Sequence, residues 1–88
     1  MAFEWNEAAA FANLRNHRVD FADVLAVFED AAAVTIPDQD CADKEQWVTI
    51  GADAFNRLLV VVYAWRGTNI KLISARRASR RERIEHGR

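Results

Sequence analysis

Eighty-eight residues, 51% of them hydrophobic and 28% charged, with a formal net charge of −1, make room for one small domain. A chain this short buries only about 60% of the surface its unfolded form exposes, so its margin of stability is thin. A single cysteine, Cys41, and an apolar run of only eight residues, Leu58 to Trp65, exclude a disulfide framework, a Cys/His zinc module and a spanning helix of about 20 residues.

One free thiol suits a reducing compartment, and Cys41 reads as a loop thiol without a role. The acidic opening, Met1 to Trp5, has no basic region of the kind a secretory leader carries. The expectation is a soluble, cytoplasmic protein without membrane contact. The small net charge hides an asymmetry. Residues 1–70 carry five cations against eleven carboxylates, a balance of −6, and residues 71–88 carry seven against two, a balance of +5. A field this uneven permits a basic patch on a near-neutral chain.

Asn6 is a helix cap with Glu7 at the positive N-terminus, and the helix runs to about His17 with Ala10, Phe11 and Leu14 on one face. Phe3 and Trp5 precede the cap and are expected to pack beneath it. A second helix begins at Asp20, shows its stripe as Phe21, Val24, Leu25 and Phe28, and stops near Asp30. The period then changes. Ala33 to Ile36 is a short strand ended by Pro37, residues 38–44 are a polar loop, and Gln46 to Gly51 alternates as a strand. Leu58 to Trp65 is continuous and β-branched, the mark of a central strand covered on both faces. A turn centred on Gly67 leads to Ile70–Ala75, where alternation puts Ile70, Leu72 and Ser74 on one face and Lys71, Ile73 and Ala75 on the other. Ser79 caps or starts a last helix to about His86. Helices, then strands joined by short loops, then a helix argue for a single α+β domain over residues 1–88: two N-terminal helices, an antiparallel sheet of about four strands and a C-terminal helix.

Three constellations carry candidate chemistry. In Ile70–Arg77, Lys71 sits within the last strand and Arg76 and Arg77 at its exit; an Arg fork matches phosphate oxygens and never titrates away. By charge alone this run reads more readily as a solvated helix face. His17, at the end of the first helix, is a proton-transfer candidate near neutral pH or a capping histidine. Glu45, before Trp47, is a base, a partner for an Arg, or a surface ion, and Glu82 shares that ambiguity, its plain reading being an ion pair with Arg76 or Arg80. Trp47, Tyr63 and Trp65 are core residues or stacking surfaces. Dinucleotide, P-loop, zinc-protease and serine-elbow motifs are absent.

Five ordered segments resemble the BrnT family, toxins of BrnT–BrnA pairs: Phe3-Glu-Trp-Asn6, Asn13-Leu-Arg-Asn-His17, Val19 and Phe21 with Val27-Phe-Glu-Asp30, Glu45-Gln-Trp-Val-Thr-Ile-Gly51, and Ile73-Ser-Ala-Arg-Arg-Ala78 with Glu82 following. The resemblance spans about residues 3–86. It implies a RelE-like fold, ribonuclease activity that arrests translation and growth, a BrnA-like ribbon-helix-helix antitoxin, and operator DNA bound only through that antitoxin. The chain departs from the family pattern where Asn16 replaces a Lys, Arg18 a Gly, Gln46 an Arg, and His86 a Tyr; the basic residue of the last strand is kept as Lys71.

With residue types and resemblance combined, the expected chemistry is metal-independent RNA cleavage by the 2′-OH, without a cofactor. Arg76 is the expected phosphate clamp aided by Lys71 and Arg77, His17 and Glu45 are the acid–base pair, and Arg76, Arg80, Arg81 and Arg83 contact the antitoxin. Two other readings remain: a relative that binds antitoxin or RNA without cutting it, and a plain nucleic-acid-binding module.

Overall fold

A computed structural model of the chain describes residues 1–39 and 45–87. The order is β1 (Phe3–Glu4), α1 (Glu7–His17), α2 (Phe21–Val24) running into a 3₁₀ segment (Leu25–Glu29), β2 (Val34–Pro37), β3 (Gln46–Ala52), β4 (Leu58–Arg66), β5 (Asn69–Arg77) and α3 (Arg80–His86). Cys41 and Lys44, and most of the expected polar loop, lie outside the described residues.

The α+β class holds, but the sheet has five strands in the order β1-β5-β4-β3-β2 and is mixed. β1 pairs parallel to β5, Phe3 opposite Ile70 and Glu4 opposite Lys71, and every other pairing is antiparallel. A two-residue strand has no period to read, so Phe3 appeared from sequence only as a residue near a cap. Its pairing with β5 is closed by the Ile70 N–H donating to the Ala2 carbonyl at 2.9 Å. The second helix is also shorter than its apolar stripe suggests, since it tightens to 3₁₀ after one turn. Pro37 closes β2, the edge strand, where its missing N–H leaves no interior ladder bond unmade.

The three expected caps form. Asn6 Oδ1 accepts from the Ala8 and Ala9 N–H groups, Asp20 Oδ1 from Ala22, and Ser79 Oγ from Glu82. Val19, Phe21, Val24, Val27, Leu59, Val61, Tyr63, Ile70, Leu72 and Ala75 form the main core, on the sheet face beneath α1 and α2. A smaller cluster of Leu58, Val60 and Ala78 lies on the opposite face, where α3 borders Val34, Ile36 and Ile50. Gly51 lets the 3₁₀ segment approach β3: a Cβ there would meet Val27 and Ala33 at 3.0 Å.

Two face assignments are corrected. In α1, Phe11 is 67% and Leu14 45% exposed, while Ala9 and Ala10 pack on the core and Asn13 is buried. The apolar spacing on this helix therefore points outward. In β5, Val62 faces Ser74 but Tyr63 faces Leu72, so Ile73 is an extra residue. The bulge resets the alternation and carries Ala75 to the core side with Ile70 and Leu72.

Candidate functional site

Asn13 builds the site's frame. β1 covers β5 only at Ile70 and Lys71, so beyond the bulge the outer backbone groups of β5 need other partners. The Asn13 side chain supplies them: its Nδ2 donates to the Ala75 carbonyl at 2.9 Å and its Oδ1 accepts from the Ala75 N–H at 2.9 Å. The same Nδ2 also donates to the Val19 carbonyl at 2.9 Å. One carboxamide thus stands in for a strand and clamps α1 to β5. Sequence reasoning missed this role. The available signal was an Asn in the interior of a helix, where its propensity is poor and a compensating contact is expected.

One turn after Asn13, α1 ends at His17, and Arg18 takes a left-handed conformation (φ 60°) to close it. Beside the clamp, α1 and the bulge bound a shallow groove of about 250 Å³, lined by Ala9, Ala12, Asn16 and His17 from the helix and by Ile73 and Ser74 from the strand. His17 is exposed at its rim. Arg77 lies opposite Leu59, on the α1 side of the sheet, two residues beyond Arg57. The Arg57 guanidinium bonds Asp53 at 2.7 Å, approaches Asp23 at 3.8 Å and donates to the Arg18 carbonyl at 3.4 Å. Arg18, Arg57 and Arg77 therefore collect at one end of the sheet. Among the described residues, Arg18 and Arg77 have no carboxylate partner; the Arg57 contact is with the Arg18 backbone, and Arg18 itself lines a hollow with Phe11, Leu14 and Arg15.

Arg76 lies opposite Val60 and leaves β5 on the other side, toward α3. Its Nη1 and Nη2 donate to Glu82 Oε1 and Oε2 at 2.7 and 2.9 Å. Glu82 Oε1 accepts as well from the Ser79 N–H at 2.8 Å, completing a capping box. The Arg76 hydrogen bonds, with lesser help from the Ser79 N–H and the Arg76 charge and against some desolvation, hold the Glu82 carboxyl down at about 2. The same contact raises Arg76 further above its ordinary value.

The remaining expected residues lie elsewhere. Lys71 is opposite Ala64 and Glu4, and Glu45 adjoins the same end of the sheet, its carbonyl accepting from the Trp65 N–H at 3.2 Å. Lys71 and Arg76 are five residues apart in β5, roughly 15 Å at the rise of an extended strand. The fold thus brings His17 near the Arg76–Arg77 end and puts Glu45 with Lys71 at the other. In α3, Arg81 Nε bonds Glu85 at 3.1 Å and Arg83 Nη1 donates to the Ala78 carbonyl at 3.1 Å. Arg80 is exposed and, among the described residues, has no carboxylate partner. Tyr63 is a core residue whose hydroxyl shares a hydrogen bond with Thr49 at 2.9 Å, Trp47 packs against the core, and Trp65 is partly exposed.

Comparisons with known proteins bear on the family and the fold. Residues 5–82 match the family described as "Ribonuclease toxin, BrnT, of type II toxin-antitoxin system". No curated protein sequence matches the chain. Among solved structures, the chain is similar to the ribonuclease toxin BrnT of Brucella abortus, a 1.1 Å crystal structure, with a TM-score of 0.76 and 27% identity over 91% of this chain and 99% of that one.

Proposed function

Since the chain belongs to the BrnT family, the ribonuclease toxins of type II toxin–antitoxin systems, we propose that it cuts RNA at the open edge of β5 and is silenced by an antitoxin that covers the same edge. The observation that carries this reading is the exit of β5. Arg76 and Arg77 leave the strand on opposite faces, and the His17 groove begins at Ser74, two residues or about 7 Å back along the strand. A phosphodiester lying across that edge meets two guanidinium groups and an imidazole.

In the proposed reaction the 2′-OH attacks the adjacent phosphorus and the bond to the 5′ oxygen breaks. This leaves a 2′,3′-cyclic phosphate and a 5′-hydroxyl. A base takes the 2′-OH proton, an acid protonates the leaving oxygen, and Arg76 and Arg77 hold the phosphoryl oxygens as charge develops on them. His17 is the proton-transfer group at this end. Lys71 and Glu45 meet the RNA farther along its length, where Lys71 adds a phosphate contact. The reaction draws on no metal or cofactor. The antitoxin, of the ribbon-helix-helix class, contacts Arg76, Arg80, Arg81 and Arg83, carries the complex to operator DNA, and restrains the toxin in the cytoplasm.

The test is to incubate the purified chain with RNA in EDTA beside Arg76→Ala and His17→Ala. Wild type degrades the RNA, and each variant loses at least about 100-fold in rate, the usual contribution of a general acid–base group for His17 and of a charge-stabilising donor for Arg76. Equal RNA loss by all three sinks the assignment. A second reading, RNA and antitoxin binding without cleavage, is favoured by one observation: the groove has no carboxylate among its lining residues to pair with His17. Growth unaffected by induction, with antitoxin binding retained, identifies that case.

A further inference from the structure

The donor count on Arg76 leads to a further residue. A guanidinium has five N–H groups: one on Nε and two on each Nη. Glu82 takes one from Nη1 and one from Nη2, at 2.7 and 2.9 Å, the end-on edge. The Arg77 carbonyl lies 3.4 Å from Nη1 and takes its second hydrogen. The Nε–H and the second Nη2 hydrogen remain. They are parallel and form the side-on edge of the same plane. Among the described residues nothing accepts from Nε, and the Arg76 side chain is 46% exposed. Among the described residues a complete bidentate fork is thus left without an acceptor, on a half-exposed side chain at the edge of β5.

Glu82 is itself held. Its Oε1 accepts from the Ser79 N–H and its own N–H donates to Ser79 Oγ, so the carboxylate is part of the first turn of α3. A freely rotating Arg would lose side-chain entropy on binding phosphate, and one whose plane is already set loses less. We propose that Glu82 is a positioning residue for Arg76: it occupies the end-on edge, fixes the guanidinium plane and presents the side-on edge to one RNA phosphate. The proposal rests on the reading of Arg76 as a phosphate ligand.

It makes an unusual prediction of sign. Glu82 is an anion next to a phosphate site, so by charge alone its removal strengthens RNA binding. By positioning, its removal weakens it. The discriminating variant is Glu82→Gln, since Gln also serves at the third position of a capping box and keeps α3 in place. The probe is a 2′-O-methyl RNA oligonucleotide, whose blocked 2′ oxygen prevents cleavage, so affinity is read without turnover.

We expect Glu82→Gln to weaken binding by about fivefold, the size of one hydrogen bond lost, despite the added net positive charge. In an Arg76→Lys background the same change has no weakening effect, because an ammonium has no plane to fix. Unfolding temperature and helical circular dichroism are measured alongside to show that α3 persists. Equal or tighter binding by Glu82→Gln, or equal weakening in the Lys background, overturns the proposal. Arg76→Ala separates the two levels: if it binds the probe as well as wild type, the phosphate-ligand reading fails as a whole. If it binds worse while Glu82→Gln does not, only the positioning role fails.

Discussion

The helices on the two faces of the sheet are tied to β5 by opposite kinds of chemistry. On the core side, α1 is clamped by the neutral, buried carboxamide of Asn13, which meets both backbone groups of Ala75. On the other side, α3 is tied by the charged, half-exposed pair of Arg76 and Glu82. A buried neutral group is costly to lose because its partners are left dry and unpaired. An exposed ion pair contributes little to stability and remains open to exchange with solvent, salt or a ligand. The first contact suits a frame, and the second holds one edge of the Arg76 guanidinium and leaves the other for the phosphate proposed above.

This contrast is tested first at its strong end. Asn13→Ala removes three hydrogen bonds and leaves the Ala75 N–H and carbonyl buried without partners, so we expect a loss of about 3 kcal/mol in chemical denaturation. Asn13→Asp, which keeps the acceptor but has no donor, should be at least as damaging. A loss under about 1 kcal/mol in both, within the range of an exposed pair, breaks the contrast.

Acid comes next. The folded Glu82 carboxyl is held near 2, below its ordinary value of 4.5. Its contribution is therefore complete above about pH 4.5 and is lost as the pH falls through about 2. Because Glu82 is partly exposed, the whole chain should remain folded over much of that window while α3 loosens first. Hydrogen exchange at residues 80–86 measured from pH 5 to 2.5 is the check, and simultaneous loss of protection at Ala75 and in α3 would contradict it.

The smallest effects are expected on the outward face of α1. Phe11→Ser and Leu14→Ser should each change stability by less than about 1 kcal/mol, since neither side chain is buried in the core. By contrast Val61→Ala, in the fully buried centre of β4, should cost about 2 kcal/mol. If Leu14→Ser proves as costly as Val61→Ala, α1 is turned the other way on the sheet.

Where the sequence was readable, the cause was local. Asn6, Asp20 and Ser79 are caps because a side-chain oxygen reaches an N–H two or three residues away whatever the rest of the chain does. The continuous apolar run of β4 marks a strand buried on both sides. The Arg76 end of β5 stood out by residue type and by the Ile-Ser-Ala-Arg context. Asn13 did not, because its role depends on a strand edge 62 residues away. Glu45 and His17 are both plausible proton carriers by type, but only registry tells which of them shares an end of the sheet with Arg76.

By itself, then, the sequence determined the helix starts, the central strand, the concentration of cations after residue 70 and the family. These rest on interactions spanning a few residues, or on a pattern repeated along the whole chain. Tertiary structure alone decided the parallel pairing of β1, the outward turn of Phe11 and Leu14, and the bulge at Ile73 that moves Ala75 into the core. It also decided that Glu82 pairs with Arg76 and not Arg80. Each of these depends on which surfaces meet once the sheet closes, and burial and hydrogen-bond satisfaction are settled only when both partners are in place.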